Sequence, residues 1–183
     1  QRPVDLPGVQ DLLKRVLVLE LRVRVVHRVP VVLGGDHRQL LGRPDVVAYR
    51  SEPLAQPLEI TGPVTSIVHL ESTAESVDVV VMLTYDSGDG RLINICDGIR
   101  RVPASHLDRQ VEVDLLATSI QLPAGSSLVL LIHHSNFPRF DVNSGTAGSP
   151  RLSRERVTST QKIFRSSSRP TRILLPISTL GET

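Results

Sequence analysis

The sequence predicts an all-β fold in which antiparallel strands form a sandwich or a barrel. Val, Leu and Ile dominate the apolar residues and there is no Trp, a bias towards residues that suit a pleated surface. Thirteen Pro and twelve Gly are scattered along the 183 residues, which argues against long helices. Seven or eight short apolar segments separated by turn residues complete the pattern.

The candidate strands follow one another from Pro44 onwards, with no amphipathic helical stretch between them. In chain order they are "DVVAY" (45–49), "VTSIVHLES" (64–72), "VDVVVMLTY" (77–85), "RLINICDGI" (91–99), "RQVEVDLL" (109–116), "SSLVLLIHH" (126–134), "TSTQKIF" (158–164) and "RILLPI" (172–177). The turn sequences are "TGP", "DSGDG", "LPAGS", "NFPRFDVNSGTAGSP" and "RSSSRP". This spacing favours consecutive antiparallel strands over units that alternate strand and helix.

The segment "YDSGDGR" (85–91) joins two of these strands, and its carboxylates suggest two interpretations. A calcium loop of the EF-hand kind needs acidic or amide residues at alternate positions and a later Glu, whereas Asp86 and Asp89 are three residues apart. Gly88 and Gly90 supply the positive φ of a tight turn. The sequence therefore predicts a β-hairpin here, and no metal.

Residues 1–43 are predicted to form a basic N-terminal extension ahead of a β-sandwich domain over residues 44–180. Residues 1–44 contain eight Arg/Lys and four Asp/Glu, which leaves 13 basic and 15 acidic residues in the remainder. The stretch "LELRVRVVHRVPVVL" (19–33) alternates Arg with Val, so it is either a strand with one wet face or a basic extended tail. Such a segment could touch nucleic acid or a membrane surface, but a solvated extension is favoured.

The composition limits which partners, metal sites and cellular locations are expected for this chain. The formal net charge is only +2, so neither nucleic acid nor a membrane is an expected partner. The single cysteine, Cys96, excludes an internal disulfide framework and offers no metal-ligand spacing. There is no apolar run long enough for a transmembrane helix and no signal-peptide pattern, so the expected location is cytoplasmic.

The most reactive-looking stretch is "LIHHSNFPRFDVNSGT" (131–146), where Ser135, His133 or His134, and Asp141 could mimic a catalytic triad. The sequence contains no G-x-S-x-G, no phosphate-binding glycine motif and no H-E-x-x-H. His133 and Ser135 could share a strand face at about 7 Å between Cα atoms, but nothing nearby supplies an oxyanion hole. A polar strand end entering a loop is favoured, with no catalytic residue, cofactor or metal expected. His27, His37, His69 and His106 are isolated.

Four strings give the chain a family resemblance. They are "RPDV…SEPL…LEITGPV", "DGRLINICDGIRR" (89–101), "IQLPAGSSLVLLIHHSNFPRFDVNSGT" (120–146) and "QKIFRSSSRPTRILLPI" (161–177). Together they resemble the C-terminal domain of the Xaa-Pro dipeptidyl-peptidase and cocaine-esterase family of serine hydrolases. The resemblance runs from about residue 43 to residue 177, and it weakens after "DGIRR", where "VPASHLDRQVEVDLL" replaces a longer basic-aromatic stretch.

The resemblance implies a jelly-roll, galactose-binding-like sandwich that follows an α/β-hydrolase domain. In the family the catalytic Ser, Asp and His lie in that upstream domain, so this chain is expected to be inactive alone. The expected partner is an α/β-hydrolase domain, in cis or as a separate chain, and further copies of this chain could add a homo-oligomer. The implied activity of the whole enzyme is that of a dipeptidyl-peptidase or acyl-ester hydrolase.

The phrase "SNFPRFD" is interpreted as a structural corner. Phe137 and Phe140 are expected to bury their rings, Pro138 to set the bend, and Arg139 and Asp141 to pair or to cap backbone groups. The loop that these residues hold is hypothesised to pack against the hydrolase domain. Two alternatives stay open: a stand-alone carbohydrate-binding module, and an independent enzyme that uses Ser135 with His133.

Overall fold

The protein is an antiparallel β-sandwich in a computed structural model that describes residues 19–23, 36–103, 108–148, 152–153 and 155–178. The strands are β1 (Leu19–Val23), β2 (Val47–Arg50), β3 (Leu58–Ser72), β4 (Ser76–Asp86), β5 (Leu92–Pro103), β6 (Asp108–Leu122), β7 (Ser127–His133), β8 (Ser159–Phe164), β9 (Arg172–Leu174) and β10 (Ile177–Ser178). The one helical element in these ranges is a short 3-10 helix, His37–Leu40.

The strands form two sheets in which every recorded pairing is antiparallel. In the six-stranded sheet, β6 pairs with one side of β3, while β8, β9 and β10 pair with its other side at successive levels. β1 pairs with the far edge of β8. The four-stranded sheet has the order β2-β7-β4-β5. The predicted all-β sandwich is confirmed.

The main core lies between the two sheets. Side chains alternate along β3, so that Ile60, Val64 and Val68 point inwards and are fully buried. They pack in one cluster with inward residues of the other sheet, such as Val79 and Ile132. Each buried aliphatic side chain contributes about 1.5–3 kcal/mol relative to exposure, so this layer provides the main driving force for folding.

The four-stranded sheet is covered on its outer face as well. Met82 and Leu131 belong to a second apolar cluster, on which Leu40 of the 3-10 helix also packs. Asp36 caps that helix and its Oδ1 accepts hydrogen bonds from the backbone N–H groups of Arg38 and Leu92. All seven residues of β7 are consequently buried, which explains why "SLVLLIH" shows no apolar-polar alternation.

The β4–β5 turn is the hairpin that the sequence predicts. β4 and β5 pair from Asp86↔Leu92 to Ser76↔Pro103. Asp86 Oδ1 accepts hydrogen bonds from the backbone N–H groups of Gly88 and Gly90, at 2.8 and 3.2 Å, and both glycines have positive φ. These bonds, with Gly88 as the largest cause, hold the pKa of the Asp86 carboxyl below its ordinary value.

The predicted strand "RILLPI" is divided into β9 and β10, and two further predicted boundaries, in β3 and β6, are wrong. The turn expected at "TGP" lies within β3, which runs through Gly62 and Pro63. β6 does not end at Leu116 but continues to Leu122. Both differences meet at a β-bulge, where the pairing shifts from Pro63↔Ala117 to Thr65↔Asp114. A bulge accommodates a Pro and an extra residue without ending the ladder.

Part of the basic N-terminal segment joins the sandwich. Leu19–Val23 forms β1, so the strand interpretation is correct for "LELRV". The rest of residues 24–35 lies outside the described residues. The division into an extension over residues 1–43 and a domain over residues 44–180 stays a prediction. No helix in the described ranges is long and apolar enough to cross a membrane.

Candidate functional site

The candidate site is the loop of residues 134–148, termed here the corner loop, which follows β7. It lies on the outer face of the four-stranded sheet, over β4 and β5. β7 ends at His133, and the Phe137–Pro138 peptide bond just beyond it is cis. Two carboxylates hold the loop against the sheet, a buried one on β4 and a nearly buried one on β5, so the site is built from these two anchors.

The first anchor is Asp78 of β4, which is 2% exposed. Arg101 of β5 donates two hydrogen bonds to its carboxylate, from Nε to Oδ1 at 2.6 Å and from Nη2 to Oδ2 at 2.7 Å. Asn143 Nδ2 adds a third, to Oδ1 at 3.0 Å. A buried carboxylate needs such a fork of donors, because an unpaired buried charge is costly. Asp78 therefore ties the far end of the corner loop to both strands.

The second anchor is Asp97 of β5, whose side chain is 10% exposed. Asn94 donates from Nδ2 to Oδ1 at 3.3 Å. Asn136 and Arg139 of the corner loop donate to Oδ2, Asn136 from Nδ2 at 3.2 Å and Arg139 from Nη1. The Phe140 N–H donates to the Asn136 carbonyl at 3.1 Å and closes the turn. Asp97 thus fixes the near end of the loop.

The histidines beside Ser135 are engaged with backbone carbonyls. His133 Nδ1 donates to the Ser135 carbonyl oxygen at 2.8 Å, and His134 Nδ1 donates to the Asp78 carbonyl oxygen at 2.7 Å. A carbonyl only accepts, so each ring carries its proton on Nδ1. Burial lowers the pKa of His133 to about 4 and lowers the pKa of His134 as well, so both rings are neutral at pH 7.

Ser135, His133 and Asp141 are close in sequence, but their contacts are not those of an activated nucleophile. Within the described part of the chain, the buried atoms Ser135 Oγ and His133 Nε2 have no hydrogen-bond partner. The hydrogen bond between these residues uses the serine carbonyl rather than its hydroxyl. A general base has to accept the proton of that hydroxyl. Asp141 is exposed and lies within electrostatic range of Arg101.

One detail of the predicted corner is wrong, and one contact of the corner was not foreseen. Phe140 does not bury its ring, because the residue is 36% exposed and the Arg139 guanidinium lies 5.4 Å from the ring centroid. Arg139 forms an ion pair with Asp97 of β5. Asp97 is a favourable partner because it is held on a strand and is nearly buried, where an ion pair is stronger than at a fully exposed position.

The other singled-out residues do not assemble into a second site. His37 is buried on the 3-10 helix, and this burial lowers its pKa. His69 Nδ1 lies 2.9 Å from the Pro170 carbonyl, while His27 and His106 lie outside the described residues. Burial raises the pKa of the Cys96 thiol to about 12. In the part of the chain that the structure describes, no three His, Cys, Asp or Glu side chains converge on a metal position.

Asp78 and Asp97 were not identified as anchors from the sequence, although the sequence does contain a pattern that indicates them. Asp78 and Asp97 each interrupt a strongly apolar strand, in "VDVVV" and "NICDGI". Charged residues are almost never fully buried unless they are paired. An aspartate within such a strand therefore indicates a partner elsewhere. The identity of the partners depends on the loop, which periodicity does not describe.

The comparison with protein families decides where this sandwich belongs. A family described as the X-Pro dipeptidyl-peptidase C-terminal non-catalytic domain matches residues 24–174. The chain belongs to this family. The cocaine esterase of Rhodococcus sp. (strain MB1 Bresler) is 34% identical to it in an alignment 158 residues long, which covers 78% of this chain and 27% of the esterase.

Solved structures share the fold of this X-Pro dipeptidyl-peptidase C-terminal domain. An α-amino acid ester hydrolase superposes with a TM-score of 0.74 at 23% identity, over 80% of this chain and 28% of that one. An aminopeptidase from the marine sediment archaeon Thaumarchaeota archaeon gives a TM-score of 0.75 at 20% identity, over 90% of this chain and 34% of that one. The chain thus spans about a quarter to a third of these relatives.

Proposed function

We propose that this domain is the C-terminal accessory domain of a serine hydrolase and that it packs on an α/β-hydrolase domain and shapes the active site. Its family is non-catalytic, and the chain matches only 27% of the esterase's length. The remainder of such an enzyme would supply the nucleophile, the base and the oxyanion hole. The hydrolase domain would be its partner, in cis or as a separate chain.

The proposed role in shaping the active site rests on the corner loop, whose tip is exposed while the residues on either side of the tip are anchored. Residues 138–141 of the corner loop are exposed, whereas Asn136 and Asn143 on either side of them are buried and bound to the anchors. A binding wall needs side chains whose positions are set before the substrate arrives. The stacked pair of Arg139 and Phe140 offers a cation and an aromatic face for this purpose.

The reaction class proposed for the whole enzyme is acyl transfer to water from an ester or from an Xaa-Pro peptide. The relatives' names include an esterase, an amino acid ester hydrolase and an aminopeptidase. Ester and amide hydrolysis share the same steps of nucleophilic attack and oxyanion stabilisation. The corner loop would influence which substrates bind, and it would not take part in the nucleophilic attack or in oxyanion stabilisation.

A domain exchange tests the proposal. The segment of the Rhodococcus esterase that matches this chain is replaced by this chain, and ester hydrolysis is measured. We expect the chimaera to be active, and Phe140→Ala to raise KM for a bulky aryl ester about tenfold with little change in kcat. Leu152→Ala, which alters an equally apolar but 84% exposed side chain outside the tip, should leave both constants unchanged.

Two results would contradict this function. An inactive but folded chimaera would show that the domain does not serve a hydrolase of this kind. Turnover of an aryl ester or an Xaa-Pro chromogenic amide by the isolated 183-residue chain, abolished by Ser135→Ala, would replace the accessory role by an independent enzyme. A Ser135→Ala variant with the wild-type unfolding midpoint is required for that conclusion.

A further inference from the structure

A second surface lies on the outer face of the six-stranded sheet, where β3 and β6 meet at the β-bulge. Leu116 lies in the bulge, between the levels of Pro63 and Thr65, and Leu174 of β9 pairs with Thr65 from the other side of β3. Leu116 is 59% exposed and Leu174 50%. Single exposed leucines are common, but a group of exposed apolar residues on one face indicates a contact surface. Pro63, Leu116 and Leu174 are termed the bulge patch.

The backbone at Leu116 is strained, and the strain keeps its side chain outside the core. Leu116 has φ 66°, and it is the one non-glycine residue with positive φ in the described ranges. A branched apolar side chain is strongly disfavoured there, whereas glycine adopts this conformation freely. The Asp114 carboxylate holds the turn, since its Oδ1 accepts from the Leu116 N–H at 2.8 Å. Such strain is typical of positions where a side chain takes part in recognition.

Charges of opposite sign lie beside the patch, on the two sides of β3. Glu112 of β6 and Arg172 of β9 are both exposed, and both pair with Ile67, so they lie at the same level of the sheet. Their chain neighbours Val113 and Ile173 pack in the main core, so the two charged side chains point to the outer face. The outer face is therefore acidic on one side of β3 and basic on the other.

A two-fold axis along β3 would make this surface complementary to itself. Such an axis exchanges the two sides of β3, so it places β6 of one copy over β9 of a second copy. Glu112 then faces Arg172 of the second copy at the same level, and the symmetry repeats this contact. The same rotation brings Leu116 next to Leu174 of the second copy, again twice. One axis thus matches the charged and the apolar residues together.

The charges also select this axis over the alternative one. A two-fold axis across the strands would place β6 over β6 and β9 over β9, so that Glu112 would face Glu112 and Arg172 would face Arg172. Like charges in direct opposition are unfavourable. The axis along β3 also keeps the strands of the two packed sheets nearly aligned, which is a common arrangement of sheets packed face to face.

We propose that the bulge patch is the contact surface between two copies of this chain in a symmetric homodimer. The corner loop lies on the outer face of the other sheet, so a dimer of this kind leaves the corner loop accessible. The inference goes beyond the proposed function and does not depend on it. The patch contains few residues, so the dimer is expected to be weak, with a Kd on the order of 10–100 µM.

Sedimentation velocity of the 183-residue chain tests the dimer over roughly 5–500 µM, a range that brackets this Kd. We expect a reversible change from the 20.1 kDa monomer towards twice that mass, and added NaCl should weaken the association. Leu116→Gly should weaken it at least about tenfold without lowering the unfolding midpoint of the monomer, because glycine relieves the strain. Leu41→Gly, at a 38% exposed leucine after the 3-10 helix, is the control and should leave the association unchanged.

Charge reversal identifies the residues that face each other. Glu112→Arg and Arg172→Glu should each weaken self-association at least about tenfold, because each variant opposes like charges at both symmetric contacts. An equimolar mixture of the two variants should associate about as strongly as the unaltered chain, since both contacts then join opposite charges. Arg100→Glu, at an exposed arginine of β5 in the other sheet, is the matched control and should leave the association unchanged.

Three results would overturn the proposal. A chain that stays monomeric over the whole concentration range does not use the patch for a second copy. A dimer that persists in both charge variants is formed by another surface. A mixture of the two charge variants that stays monomeric while the unaltered chain dimerises would show that Glu112 and Arg172 do not face each other. The charge variants leave the backbone of the bulge unaltered, so they decide the question even where Leu116→Gly lowers the unfolding midpoint.

Discussion

Gly98 of β5 lies directly against the backbone carbonyl of Asp114 of β6, so closely that a Cβ on Gly98 would overlap the Asp114 oxygen. The two strands follow each other in the chain but belong to different sheets. At this point the backbones of the two sheets are therefore in direct contact, with no side chain between them. The contact involves the same residue whose side chain caps the bulge at Leu116.

Gly98→Ala should destabilise the fold by about 3 kcal/mol, because neither backbone can move away without disturbing its sheet. Urea unfolding at pH 7 measures the loss as a lower midpoint with an unchanged slope. Gly148→Ala is the control, since a Cβ there meets nothing closer than 3.9 Å, and its effect should stay within about 0.5 kcal/mol. Equal midpoints for the two variants would contradict the close approach.

Asp78→Ala should cost about 2–3 kcal/mol, because it leaves the buried Asn143 amide and the Arg101 guanidinium without their acceptor. The Arg101 side chain is 42% exposed and regains some hydration, which limits the cost. Arg91→Ala removes an ion pair to Asp89 whose two partners are 58% and 43% exposed, and should leave the urea unfolding midpoint almost unchanged. Comparable losses in both variants would show that Asp78 is no anchor.

Asp97→Ala should loosen the near end of the corner loop without unfolding the sandwich. Asn136 and Arg139 both lose the oxygen to which they donate. Hydrogen exchange should accelerate at the Phe140 amide, whose bond to the Asn136 carbonyl closes the turn. Glu71→Ala removes the partner of Arg169 on the other sheet and should leave that amide unchanged. Unaltered exchange in Asp97→Ala would exclude the anchoring role.

Stability should fall as the pH is lowered from about 6.5 to about 4. The folded-state pKa of His133 is about 4 against an ordinary value of 6.5, so the unfolded chain binds the proton first. Such a shift corresponds to about 3 kcal/mol lost across this window, and the lowered pKa values of His134 and His37 act in the same direction. Urea unfolding at a series of pH values measures it, and His133→Asn should flatten the dependence. A profile of equal steepness in that variant would contradict the assignment.

Cys96 should resist thiol reagents in the native protein. Its side chain belongs to the core and its pKa is raised to about 12 by burial and by Asp97. At pH 8 only about 10⁻⁴ of the thiol is then ionised, and the thiolate is the reactive form. A disulfide reagent should label the chain at once in urea and only slowly without it, whereas an added Ser87→Cys should react at once in both. Rapid native labelling of Cys96 would show that this part of the core opens readily.

The strands were predictable where local pattern and burial agree. The apolar run "SLVLLIH" and the hairpin at Asp86–Gly88–Gly90 follow from composition and turn chemistry, and the structure contains both. The bulge was not predictable, because Gly62 and Pro63 are typical turn residues and only the pairing with β6 keeps them in a strand. The presence of a strand depends mainly on its own sequence, whereas a bulge depends on how two strands pair with each other.

The candidate site was predictable only in outline. "SNFPRFD" indicated a corner, and the chain does turn there, but the expected burial of Phe140 is wrong and the contact of Arg139 with Asp97 was not foreseen. Both depend on Asp97, which is 42 residues away in sequence from Arg139. No periodic pattern carries information about such a contact, because the loop has no repeat of its own.

The pairing of β1 with β8 makes part of the N-terminal segment an edge strand of the six-stranded sheet. A version of the protein cut between Val23 and Asp36 would lose that strand and bare a row of amide and carbonyl groups along β8. Exposed rows of this kind recruit strands from neighbouring molecules. The segment at Leu19–Val23 is therefore part of the folded unit, and any transplant of this module into another enzyme has to include it.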